Sequence, residues 1–175
     1  MTTLNAQRPT LNQAAPAAYL LHLADNALIL GQRNAEWCGH APILEEDMAM
    51  ANNSLDLIGQ ARLLYQHAAE RLAGDVRAPR GASWPAGAIT EDTLAYFRDV
   101  PDFRNYTLLE LPHSPPLVPA GVGDRDWSVT IARNFLYSAL MVLVWERLQQ
   151  SADSQLAAIA AKSLKEARYH LRHAR

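Results

Sequence analysis

The sequence predicts an all-α fold, a helical bundle, on three observations. Apolar residues recur at three- and four-residue spacing along four long segments, and no segment alternates with the two-residue period of a strand. Pro, Thr or Asp precedes most of these segments, and Gly or Pro punctuates the stretches between them. Over 175 residues, 49% are apolar and only 19% charged, enough to bury one sizeable core and too apolar for disorder.

Residues 1–16 are polar, hold Pro9 and Pro16 and show no periodicity, so they read as a loose tail, with one domain over 17–175. Pro16 opens a first helix that runs to about Arg33. Leu20, Leu23, Ala24, Ala27 and Leu30 share its inner face, and His22, Asp25, Asn26, Gln32 and Arg33 fall opposite. NAEWCGH (34–40) breaks the pattern. Pro42 starts a long helix with Glu45, Glu46 and Asp47 at its positive end, and Gly74 stops it. Its apolar arc is wide (Leu44, Met48, Met50, Ala51, Leu55, Leu57, Ile58, Leu64, Ala68), with a narrow polar strip of Asn52, Asp56, Gln60 and His67.

Residues 75–89 read as loop. Thr90 caps a short helix ending before Pro101, and a second short helix lies near Asn105–Leu111. Residues 112–123, with four prolines and two glycines, form a long loop. Asp124 or Asp126 caps a helix over about Trp127–Gln150, with Ile131, Phe135, Leu136, Ala139, Val142, Leu143 and Leu148 on its inner side. Asp153 or Ser154 caps the last, striped by Leu156, Ile159, Ala160, Ser163, Ala167, Leu171 and Ala174. That pattern is still running at Arg175, so the chain reads as C-terminally truncated.

Eighteen acidic against sixteen basic residues leave a net charge of −2, which argues against general nucleic-acid binding. The lone Cys38 excludes an internal disulfide and a multi-Cys metal site. No apolar run approaches the ~20 residues of a membrane helix, and the N-terminus shows no secretory signal. A cytoplasmic protein is the expectation.

Bundles with long crossovers include the ferritin-like class, whose di-metal site takes a Glu from each of two helices and a Glu-x-x-His from each of the other two. The single acid-x-x-His match, Glu110–His113, is interrupted by Pro112. Between Asp126 and Glu146 there is no acid at all. Asp25 is the first helix's only candidate, Asp56 is followed three residues on by Gly59, and three residues before His170 stands Ala167. The architecture suggests a di-iron protein, and the ligand inventory argues that the site is lost.

Four stretches carry a resemblance: GQRNAEWCGHAPILEEDMAMANNSLDLIGQARLLYQHAAE (31–70), EDTLAYFRD (91–99), TIARNFLY (130–137) and AAIAAKSLKEARYHLR (157–172). Over about 17–175 the sequence resembles the PaaC subunits of bacterial phenylacetyl-CoA epoxidases, with EWCGHAP and KEARYHLR the most specific stretches. PaaC subunits run further at the C-terminus, whereas segments 75–89 and 112–123 are longer here. The resemblance implies a ferritin-like bundle with a degenerate metal site and no cofactor of its own. It implies a scaffold for a PaaA-like di-iron catalytic subunit that epoxidises the ring of phenylacetyl-CoA, with electrons from a flavin and iron–sulfur reductase.

Under that reading Asp25, Asp56, Gln60, Glu166 and His170 are the remnant of the metal site. Glu166 and His170, four apart, can pair on one flank of the last helix, and Glu166 should lie within reach of His170 or of a basic side chain on another helix. The plainer alternative is an ordinary surface pair, and Asp56 with Gln60 admits the same two readings. Lys162, Lys165, Arg168 and Arg172 form a basic face that is either solvated or meets an acidic partner or CoA phosphates. Glu36, Trp37, Cys38 and His40 read as a turn packed by Trp37 rather than a thiol or metal site. Trp84 and the loop 112–119 could face a partner. Two other functions stay open: a di-metal oxygenase in its own right, using Asp25, Asp56, Glu166 and His170, and a free-standing helical binding module. The wide apolar arcs of helices 42–73 and 127–150 predict that the chain self-associates or needs other epoxidase subunits.

Overall fold

A computed structural model describes residues 15–73, 88–113 and 126–175. The expected tail up to residue 14, the stop at Gly74, Trp84, Asp124 and most of the Pro-rich loop lie outside the described residues. The helices are α1 (Ala17–Ala35), α2 (Leu44–Ala73), α3 (Glu91–Tyr96), α4 (Thr107–Glu110), α5 (Trp127–Leu148) and α6 (Ser154–His173), with a 3₁₀ turn at Val100–Asp102. No strand occurs among the described residues.

The caps follow the sequence closely. Thr90 Oγ1 accepts from the Thr93 amide, Asp126 from Ser128 and Asp153 from Leu156. Pro16 is the residue before α1 rather than its first turn, and α2 starts two residues after Pro42. Gly39 takes φ 78°, a left-handed turn that a side chain would strain, and its amide donates to Asp47 Oδ1 at 2.7 Å. This turn folds α2 back along α1. At Gly31 the two helices approach so closely that a Cβ would stand 3.2 Å from Ile58 Cγ1.

Cross-helix bonds fix the topology. Asn53 meets His173, Asp56 meets His170, Gln60 meets Glu166 and His67 meets Asp153, so α2 and α6 run antiparallel. Trp37, just past α1, meets Thr130 and Trp127 at the start of α5, so α1 and α5 are antiparallel too. With α1–α2 and α5–α6 as hairpins, α2 and α5 are parallel, and the connection between them must cross the length of the bundle. This is a ferritin-like arrangement. Leu20, Leu23, Ala27, Leu64, Ala68, Trp145, Leu156 and Ala160 belong to its core.

Three facings differ from the sequence reading. On α1, Asp25 and Asn26 are fully buried, because the α3–α4 connection covers the side expected to face solvent. On α2, Leu44, Met48, Leu55 and Ile58 are exposed, whereas Gln60 and His67 of the polar strip are buried against α6. On α5, Phe135, Leu136 and Leu143 point outward; Thr130, Arg133, Asn134, Tyr137, Ser138, Met141 and Trp145 point in. Of the inward polar groups of α5, Thr130, Arg133 and Asn134 are held by Trp37, His113, Asn34 and the Leu111 carbonyl, whereas the buried Tyr137 hydroxyl and Trp145 indole N–H find no hydrogen-bond partner among the described residues. Hydropathy alone therefore assigned that helix back to front. The α6 stripe is buried largely as expected.

Contrary to the sequence expectation, Trp127–Leu148 is long and apolar enough to cross a membrane by length and composition. Its inward Arg133 and Asn134 are bonded within the bundle, the setting of a bundle helix.

Candidate functional site

α2 and α6 meet along a polar seam. Asp56 and Gln60 stand one turn apart on α2, and Glu166 and His170 one turn apart on α6. Gln60 Nε2 donates to Glu166 Oε2 at 2.9 Å, and His170 Nε2 donates to Asp56 Oδ2 at 3.1 Å. Glu166 and His170 thus bond across to α2 and not to each other; Lys162 approaches Glu166 at 3.7 Å from within α6. The expected basic partner on another helix is replaced by an amide. Burial lowers the His170 pKa, and the Asp56 carboxylate opposes this. Gln60 and His170 are buried, whereas Asp56 is 39% exposed, so the tetrad opens to solvent at one edge.

The seam continues at both ends. His173 Nε2 donates to Glu46 Oε2 at 2.8 Å. At the other end Asp153 Oδ2 accepts from His67 Nε2 (2.9 Å), from the Ala15 amide (2.8 Å) and from Arg71 (3.3 Å). Burial opposes ionisation of Asp153, but the Ala15 and Leu156 amides and His67 outweigh it and hold the carboxyl well below its usual pKa. One side chain ties α1, α2 and α6 together.

Asp25 is not part of the tetrad. It pairs with the Arg98 guanidinium, accepts from Tyr65 Oη at 2.6 Å and accepts from the Arg104 amide at 2.8 Å. Burial, with the Asp25 charge adding to it, raises the Tyr65 pKa, so the phenol stays protonated and donates. Asp25 therefore fastens the α3–α4 connection to α1 and α2.

Where α1 and α5 face each other, Asn34 and Asn134 exchange two amide bonds, each 2.9 Å, both side chains buried. His113, at the edge of the Pro-rich loop, is buried beside them. Its Nδ1 faces the Trp37 indole N–H (3.3 Å), Arg133 (3.1 Å) and Thr130 Oγ1 (2.8 Å), so Nε2 carries the proton towards Glu36 (3.2 Å). Burial and then the Arg133 charge depress the His113 pKa. Trp37 is buried as the packed-turn reading expects, and Cys38 is exposed. The sequence reading missed Asn34, Arg98, Asp153 and the His113 cluster as polar anchors, since their partners Asn134, Asp25, Ala15 and Trp37 lie 73 to 138 residues away.

The basic face of α6 is outward. Arg168 pairs with Glu146 of α5 at 2.8 Å, Arg172 stacks on Tyr169, and Lys165 is exposed.

A di-iron centre needs carboxylates converging from all four helices. Here α1 commits Asp25 to Arg98, and the only acid within α5 is Glu146, exposed and paired with Arg168. Among the described residues, no three His, Cys, Asp or Glu side chains converge to hold a metal ion. The donor set does not fit the group.

The phenylacetic acid catabolic protein family, which joins PaaA and PaaC, matches residues 1–175. The chain belongs to this family. It is 46% identical over 158 residues to the PaaC subunit of the 1,2-phenylacetyl-CoA epoxidase of Escherichia coli (strain K12). That match covers 90% of the chain and 54% of the relative, so the chain spans about half the length of this PaaA/PaaC-family protein.

Proposed function

We propose that the chain is a non-catalytic, structural subunit of a phenylacetyl-CoA epoxidase, supporting a di-iron catalytic subunit in aerobic phenylacetate breakdown. The observation that carries this is the donor set. Asp56, Gln60, Glu166 and His170 satisfy one another, and Asn34–Asn134 occupies the α1–α5 contact with neutral amides. Gln60 supplies an N–H donor where a metal would need a negative oxygen, and it uses that donor to neutralise the hydrogen-bonding demand of Glu166. Asp56, Gln60, Glu166 and His170 are on this reading a metal site converted to a helix clamp, whereas Asp25 serves as a strap anchor. The subunit binds no cofactor, and its work is to present a rigid surface to its partners.

Two measurements test the reading. Co-expression with the catalytic subunit should give a complex that survives gel filtration; its absence would favour a free-standing module. Elemental analysis after iron reconstitution should show far less than one iron per chain, whereas about two would restore the oxygenase reading.

A further inference from the structure

His113 joins separate parts of the chain through a single ring nitrogen. Its Nδ1 lies 3.3 Å from the Trp37 indole nitrogen in the α1–α2 turn and 3.1 Å from the Arg133 guanidinium on α5. Thr130 Oγ1, also on α5, accepts from the Trp37 indole at 3.0 Å and so directs its own proton to Nδ1, 2.8 Å away. The Trp37 ring stands edge-on to both His113 and Trp127. Trp37, His113 and Arg133 are all buried. Such a junction suits one protonation state. Trp37 and Arg133 can only donate, so Nδ1 must accept. A proton there would set an imidazolium 3.1 Å from the Arg133 guanidinium, out of reach of water. The charges facing the ring are Arg133 from α5, Arg33 from α1 and Glu36 just past α1. Glu36 meets Nε2 at 3.2 Å, but it is 42% exposed and shared with Arg33. The acids nearest in the adjoining segments are engaged elsewhere, Glu110 with Asn105 and Asp126 with Ser128.

We propose that His113 is an acid-sensitive latch: neutral, it holds the α1–α2 turn against the start of α5, and on taking up a proton it releases Trp37 from α5 while the α1–α2 hairpin stays folded. The release is local because the hairpin has its own fastenings. α1 and α2 close on each other at Gly31, and Asp25 ties them through Tyr65 further along. Neither contact involves His113. The direction follows from linkage. In the fold, burial and the Arg133 charge hold the imidazole below the ordinary histidine value. The released ring, back in water, regains a pKa of about 6.5 and therefore takes up the proton first. The latch is fully closed above that pH, and release gains ground as pH falls from there through the folded pKa.

The test is hydrogen exchange followed by NMR on the nitrogen-15-labelled chain, with the Trp37 indole N–H assigned from a Trp37→Phe spectrum and the Leu64 amide of α2 as the reference for the hairpin. Corrected for intrinsic exchange, protection of the Trp37 indole should fall about tenfold between pH 6.5 and 5, and that of Leu64 should change by less than about twofold. His113→Gln keeps an acceptor for Trp37 and a donor for Glu36 but cannot titrate, so the Trp37 loss should shrink to within about twofold. Glu36→Gln removes the carboxylate that favours the charged ring, lowers the folded pKa further, and should deepen the loss to about thirtyfold. Nitrogen-15 spectra of the His113 ring in the parent chain should show the proton on Nε2 at pH 7.5. These spectra and Glu36→Gln decide the matter if His113→Gln does not fold. Trp37 protection that is unchanged by pH, that falls in step with Leu64, or that falls equally in His113→Gln overturns the latch. So does a ring protonated on Nδ1 at pH 7.5, or a Glu36→Gln chain whose loss is smaller than the parent's.

Discussion

α5 and α6 form one hairpin, are of similar length (22 and 20 residues), and bury opposite kinds of side chain. α6 turns Leu156, Ile159, Ala160, Leu164 and Ala167 inward and leaves its cations outside. α5 turns Thr130, Arg133, Asn134, Tyr137 and Ser138 inward with Met141 and Trp145, and leaves Phe135, Leu136, Leu140 and Leu143 outside. α6 is thus held by burial of apolar surface. Much of α5 is held by hydrogen bonds to particular partners: Asn34, His113, Trp37 and the Leu111 carbonyl. A polar inner face costs least where its groups find partners, as Thr130, Arg133 and Asn134 do, and a greasy outer face is tolerated best where something else covers it.

This contrast can be tested from the largest effect to the smallest. At the mouth of the hairpin, Asp153→Ala removes the α6 cap and leaves His67 and the Ala15 amide without their acceptor; we expect about 3–5 kcal/mol of destabilisation by urea melt. Leu156→Ala, in the α6 stripe, should lower stability by about 2–5 kcal/mol. In α5, Asn134→Leu adds apolar volume yet should destabilise by about 1–3 kcal/mol, because Asn34 is stranded; a gain in stability would refute the account of α5.

Acid supplies a subtler probe. His113 and His170 are both depressed by burial, so they sit neutral in the fold and charge more readily when unfolded. Their contribution is full above the unfolded histidine pKa of about 6.5 and declines as pH falls from there through the folded pKa values. Tm should therefore drop between pH 7 and 5, and His113→Gln should flatten that drop. The smallest effect is Leu143→Ala on the outer row of α5: it should fall within about 0.5 kcal/mol for the isolated chain, as for any exposed position. A loss comparable to Leu156→Ala would mean that the row is covered within the chain itself.

Element positions and caps were legible in the sequence because they depend on neighbours a few residues apart: Thr90, Asp126 and Asp153 all cap where their residue types predict. Family membership was legible in the EWCGHAP and KEARYHLR stretches. Facing was less so. Asp25 and Asn26 read as solvent-side until the connection brings Arg98, the Arg104 amide and the Tyr106 amide onto them. Asp56, Gln60, Glu166 and His170 stand out in the sequence as residue types, but their pairing across the helices depends on the α2–α6 register, which no local pattern encodes.

The role of Asp153 also sets an order in time. The Ala15 amide and the His67 imidazole both bond to a carboxylate that lies 138 and 86 residues further along the chain. At about 5–20 residues per second of synthesis, Ala15 waits roughly 7–28 s for its partner to leave the ribosome's decoding centre. Through that interval a nascent α1–α2 hairpin has an open end, with His67 lacking the carboxylate it will bond. It closes only when the start of α6 arrives, so a helix made well over a hundred residues later fastens the beginning of the first.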